Sequence, residues 1–162
     1  MNAKDAIRQT YGMSENILNA YLGDLDDADL LIHPVEGQNC IAWQLGHLIS
    51  SERGMVDGIK PGSCPALPEG FDQAYTRDSA GHAGAKFLTK AEYLSLFKAQ
   101  REATNQVLEG LSDADLDTPG PERVKSIAPT VGAVFNLLGS HVLMHVGQFV
   151  TVRRQLKKPV AI

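Results

Sequence analysis

The sequence predicts an all-α fold, and within that class a four-helix bundle. Two observations carry this. Strand-like alternation of apolar and polar residues persists nowhere, and four stretches of helical apolar spacing lie between capping and breaking signals. At 162 residues the chain is long enough to bury a core of its own, so residues 1–162 are expected to form one domain. With 43% hydrophobic and 21% charged residues, its composition is that of an ordinary globular protein rather than a disordered or fibrous one.

The first segment runs from about Ala3 to Leu22, with Ile7, Tyr11, Ile17, Leu18 and Leu22 as an imperfect apolar stripe and Gly23 at its end. The second follows Gly37-Gln38-Asn39 and continues to about Lys60, where Pro61-Gly62 stops it. The third opens on Thr89-Lys90-Ala91-Glu92, a capping box in which Thr89 accepts from an N-terminal amide and Glu92 reaches back. It ends near Leu111. The fourth takes Thr130 as its cap and runs to about Leu156; at roughly 27 residues it would span about 40 Å. Four helices of these lengths suit a bundle.

Between the second and third segments lies a Gly- and Pro-rich connector, residues 61–88. A connector this long in a small domain belongs with binding and active-site loops, and it is expected to cover one end of the bundle. His82 within it reads as a solvent-exposed histidine. A faint repeat also appears. Leu25-Asp26-Asp27-Ala28-Asp29-Leu30 precedes the second segment, and Leu111-Ser112-Asp113-Ala114-Asp115-Leu116 precedes the fourth. Either two similar helix pairs face each other about a pseudo-twofold, or the block is simply a common capped turn.

The net charge of −4 argues against a nucleic-acid partner. The basic cluster Arg153, Arg154, Lys157 and Lys158 falls where the dipole of the last helix would attract cations in any case. The N-terminal stretch lacks an apolar core of signal-peptide length, and no uninterrupted apolar run reaches the roughly eighteen residues of a bilayer span, so no membrane association is expected. Cys40 and Cys64 make neither a disulfide framework nor a thiolate metal motif, and a cytoplasmic location with reduced thiols is expected.

The chemistry rests on histidine. His141 and His145 are one turn apart in the fourth segment and project from one face, so both imidazoles can converge on one ion. The pair alone fits two core histidines bonded to carbonyls equally well. His47, in an apolar setting in the second segment, makes a third inward candidate. Three protein ligands with an open position is the catalytic pattern, and burying three imidazoles without an ion would demand three separate hydrogen-bond partners. Gln44 and Gln148 lie three residues from His47 and His145 and could flank the site as supporting amides. Trp43, four residues before His47, is either a pocket wall or core. Glycines 46, 139 and 147 would make sense where helices or a ligand approach closely. Cys40, two turns from His47, is too far to share an ion, and Glu52 points elsewhere; no residue is nominated as general base, and the catalytic residues stay unassigned.

The stretch from Asn39 through Trp43 to His47-Leu48, together with His141-x-x-x-His145-x-Gly147-Gln148, resembles the two signatures of the DinB/YfiT-like superfamily. The resemblance covers essentially the whole chain. It implies a DinB/YfiT-type four-helix bundle with a long connector between helices two and three. It further implies a divalent metal, zinc or nickel by ligand softness, held by His47, His141 and His145. Relatives of this kind include metal-dependent transferases or isomerases that use low-molecular-weight thiols, and they are commonly homodimers. A small-molecule thiol and a second copy of the chain are thus the partners the resemblance implies. A metal-dependent hydrolase and a non-catalytic metal-binding stress-response bundle are the alternatives.

Overall fold

Three of the four long helices start where a short polar side chain meets the first free amides; the one that follows Cys40 has no such cap. In chain order the computed structural model, which describes residues 1–76 and 86–161, contains α1 (Ala3–Leu22), α2 (Ile41–Ile59), α3 (Phe71–Ala74), α4 (Lys90–Gly110), α5 (Asp113–Leu116) and α6 (Val131–Gln155). Short 3₁₀ turns lie at Asp29–Leu31 and Glu122–Val124. Among the described residues there is no strand, only an isolated bridge between Pro119 and Thr130. The class is all-α, as the sequence predicts. At α4 the Thr89 amide donates to Glu92 Oε2 at 2.8 Å while the Glu92 amide donates to the Thr89 hydroxyl at 3.3 Å. Asn2 and Asp5 form the same reciprocal box at α1, and Thr130 accepts from the Ala133 amide at α6.

α1 packs most extensively on α6 and α4 on α2, while α2 also meets α6 and α1 meets α4. Exchanging α1 with α4 and α2 with α6 preserves this pattern, as a pseudo-twofold requires. The two Asp-Ala-Asp-Leu blocks are also the same device. Asp26 and Asp29 bond each other's amides, Ser112 and Asp115 do likewise, and each turn buries its final leucine, Leu30 and Leu116. Both readings of the repeat therefore describe one feature.

Two apolar clusters fill the interior. One gathers Leu18, Leu22, Leu45, Ile49, Tyr93 and Phe149; the other gathers Ile7, Val56, Leu108, Val134, Phe135 and Leu138. Along α1, α2 and α4 the change from one cluster to the other is marked by buried polar side chains, Ser14, Glu52 and Arg101 among them. Glu52 of α2 accepts from Arg101 Nη2 at 2.8 Å and from the Thr104 hydroxyl at 2.6 Å, both on α4. The Arg101 guanidinium lies 4.1 Å over the Tyr11 ring of α1, and the Tyr11 hydroxyl donates to the Phe135 carbonyl of α6 at 2.8 Å. Burial pushes the Glu52 carboxyl up, and the Arg101 charge and Thr104 hydroxyl pull it back. Glu52 thus points away from the histidines, as the sequence indicates.

One expectation needs correction. α6 is long and apolar enough to cross a membrane by length and composition, although the sequence was read as holding no such run. Histidine, serine and glycine interrupt the apolar run, yet the helix they share averages out as apolar. Its apolar side faces the core, where Val134, Phe135, Val142, Val146 and Phe149 are buried against the neighbouring helices. His82 lies outside the described residues.

Replacing Arg101 with Ala leaves the Glu52 charge buried and unpaired. The expected cost is about 3–5 kcal/mol in urea unfolding, whereas joint replacement of Glu52 and Arg101 by Leu and Met should cost clearly less. Equal losses in the two variants would show that packing, and not charge pairing, holds this layer.

Candidate metal centre

α2 supplies His47 and α6 supplies His141 and His145, and the helix contact brings the three rings together. Their ring centroids lie 4.7–5.3 Å apart. One nitrogen from each falls within 4.8 Å of the other two, a grouping that could hold a metal ion. His145 is buried; His47 and His141 are partly so. The cluster borders a cavity of about 930 Å³, onto which His47 and His141 open.

Hydrogen bonds fix two of the three tautomers. Gln44 donates through Nε2 to the Asn39 carbonyl at 2.9 Å, so its Oε1 faces His145 Nδ1, also at 2.9 Å, and must accept from it. The proton of neutral His145 is then on Nδ1, leaving the Nε2 lone pair toward His141 Nε2 at 3.1 Å. His47 Nδ1 lies 3.3 Å from the Tyr75 carbonyl, an acceptor only, so in the neutral ring the proton is on Nδ1 and the Nε2 lone pair faces the Ser51 hydroxyl at 3.4 Å. This is the pattern of metal-binding histidines, in which one ring nitrogen donates to a protein oxygen and the other is bare.

Electrostatics favour the same state. Burial, reinforced by the neighbouring His47, lowers His141 to about 4; burial, then His141 and His47, lowers His145 to about 3. Neutral imidazole is the form that ligates a divalent cation. The donor set therefore fits such an ion.

Residue by residue, the structure brings together His47, His141 and His145 and adds Gln44 behind His145. Trp43 joins them as a ring stacked on His47, with centroids 4.9 Å apart and planes 8° from parallel, while also packing in the core. Gln148 does not join the cluster. Its carbonyl accepts from Gln38 Nε2 and from the Thr151 hydroxyl, and no hydrogen bond links its amide to the histidines. Three residues past His145, it has turned toward the chain that leads into α2. Cys40 precedes the first turn of α2, fully buried, with its thiol pushed up by burial.

Tyr75 escapes notice in the sequence. It ends α3 and lays its ring in the notch at Gly46, where a Cβ would come within 2.2 Å of it. Its hydroxyl meets that of Tyr93 on α4 at 2.6 Å, and its carbonyl is thereby held at His47. Gly46 is the one sequence signal of this approach. Gly139 likewise admits Thr10, with a Cβ 2.7 Å from its methyl, whereas at Gly147 no helix among the described residues makes such an approach. Ser51, Arg53 and Asp72 also line the cavity without having been singled out.

A family model described as the DinB superfamily matches residues 11–149, a span that holds all three histidines. No protein of curated function matches the chain.

Two measurements test this geometry. Gln44→Ala removes the acceptor that fixes His145, and zinc affinity measured by chelator competition should fall about 10–100-fold with the helical circular dichroism retained. In the metal-free protein, the unfolded chain takes up protons on these histidines near pH 6.5, while the folded chain resists until about pH 4 and about pH 3. Their contribution to stability is therefore full above the unfolded value and drains away as pH falls below it. Urea midpoints should drop from pH 7 toward pH 4.5, and His145→Gln should flatten that slope.

Proposed function

The chain belongs to the DinB superfamily, and on that premise we propose that it is a divalent-metal-dependent enzyme acting through a low-molecular-weight thiol, as a transferase or isomerase. One observation carries the proposal: three imidazoles converge at the wall of a cavity of about 930 Å³. A purely structural site would close over its donors, whereas His47 and His141 open onto space large enough for a substrate.

His47, His141 and His145 would hold the ion, with zinc or nickel suited to imidazole. When bound, such an ion supplies Lewis acidity at an open position and stabilises a deprotonated ligand there. The chain's own groups do the rest. Gln44 and the Tyr75 carbonyl hold two of the imidazoles in their donor tautomers. Trp43 fixes the plane of the His47 ring. Met55, Leu137 and Met144 give the cavity apolar walls.

The preference for a thiol over water rests on the cavity's acid–base inventory. Asp72 is the only carboxylate among the described lining residues, and it is taken up by the Ser50 hydroxyl at 2.8 Å and Arg53 Nη1 at 2.6 Å. No carboxylate there is placed to take a proton from water. A thiol, with an ordinary pKa of about 8.5, needs far less help.

The protein purified without a nickel column should carry about one zinc or nickel ion per chain by mass spectrometry, and His145→Ala should lose most of it. Titrating small thiols into the cobalt-substituted protein should then produce a thiolate-to-cobalt absorption band. Bound metal with no thiol-dependent band would instead support a non-catalytic metal-binding bundle; no metal at all would return the three histidines to the core.

A further inference from the structure

The segment between α5 and α6 does more than connect them. Its neck is closed by backbone bonds, Gly120 N–H to the Pro129 carbonyl at 2.9 Å and Val131 N–H to the Thr118 carbonyl at 2.9 Å. Within the loop the Ala128 amide donates to the Val124 carbonyl at 2.8 Å, closing a compact turn around a buried Ala128. Two glycines of α2, one turn apart, form its seat. A Cβ on Gly58 would lie 2.9 Å from Pro121, and one on Gly54 would lie 3.2 Å from Arg123 Nη1. The loop is thus held against α2, with Arg123, Val124 and Ile127 lining the same cavity as His47 and His141.

Arg123 has no counter-ion among the described residues. Glu122 beside it pairs with Lys125, and Arg53 across the cavity is matched by Asp72 and Asp57. No carboxylate among the described residues comes within ion-pair distance of the Arg123 guanidinium. Next to it Ile127 is 69% exposed and Met144 58% exposed, two large apolar side chains facing one cavity. Of the two lining arginines, Arg53 is matched by Asp72 and Asp57, whereas Arg123, an exposed side chain, holds its charge unpaired beside these apolar groups.

We infer that the cavity takes a small carboxylate with an apolar body, its carboxylate on Arg123, its body against Ile127, Val124 and Met144, and its reactive end toward the histidines. A planar guanidinium with free donors matches a carboxylate in geometry and charge. Gly54 lies seven residues after His47, so the anchor is about 10 Å along α2 from the proposed metal ligands, which sets the length of the ligand. This inference rests on reading the cavity as the reaction site, and it names the substrate class for that site.

The test compares 4-phenylbutyrate with its neutral counterpart 4-phenylbutan-1-ol by calorimetry, on the full chain in zinc-loaded and chelator-stripped forms. The acid should bind about tenfold or more tighter than the alcohol in both forms. Arg123→Gln should abolish the difference, Arg123→Lys should keep part of it, and Arg154→Gln, an exposed site in the last turn of α6, should leave it unchanged. Equal binding of acid and alcohol, no binding of either, or a preference that survives Arg123→Gln would overturn the inference. A preference confined to the zinc-loaded form would place the carboxylate on the metal and overturn it as well. An Arg123-dependent preference in a protein that takes up no zinc would uphold the inference while removing the metal from the site.

Discussion

The alignment of the four long helices depends on a polar layer set between the two apolar clusters. Glu52, Arg101, Tyr11 and the Phe135 carbonyl link α2, α4, α1 and α6 in one chain of contacts. Apolar side chains tolerate sliding along a helix; a buried ion pair does not, because a shift of one residue leaves a charge without its partner. The Arg101–Glu52 contact therefore fixes how far α4 sits along α2, and the Tyr11 hydroxyl fixes α1 against α6. The two apolar clusters above and below supply most of the burial, and the layer between them sets their alignment.

That alignment is what makes the histidine cluster. His47 is five residues from Glu52 on α2 and His141 six residues from Phe135 on α6, each less than two turns from the layer, while His145, ten residues from Phe135, lies nearly three turns away. A small slip between α2 and α6 would move ring nitrogens now within 4.8 Å of one another out of reach of a shared ion. Structure and site are coupled through helix register. The finer adjustment is local: Trp43 stacks on His47, Gln44 bonds His145, and the Tyr75 carbonyl faces His47 Nδ1.

How much of this could be read beforehand follows from the range of each interaction. Caps act within a turn, so Thr89–Glu92 and Thr130 marked the starts of α4 and α6 in the sequence itself. The one-turn spacing of His141 and His145 gave their common face, and the position of His47 in an apolar helix made it their partner. Gln44 and Gln148 looked alike by spacing, yet only Gln44 reaches a histidine, because the choice depends on how α2 and α6 cross. Arg101 and Tyr75 were invisible for the same reason: each is defined by a partner 49 and 18 residues away, respectively. α3 and α5, at four residues each, are too short to show a period at all.

The three histidines and much of the rest of the cavity wall come from different parts of the fold. All three histidines sit on long helices whose positions are fixed by the core, whereas much of the rest of the cavity comes from connections: Asp72, Tyr75 and Thr76 from α3 and its exit, Arg123, Val124 and Ile127 from the loop before α6. Connections tolerate replacement with little loss of core packing, since few of their side chains are buried. Changes at Arg123 or Ile127 would alter what the cavity accepts while leaving the imidazoles in place. Tyr75 is the exception, because the same residue lines the cavity and, through its carbonyl, holds His47. A substitution that moves its backbone would reach the histidine cluster and the cavity wall together, and this makes α3 the point at which the two cannot be varied separately.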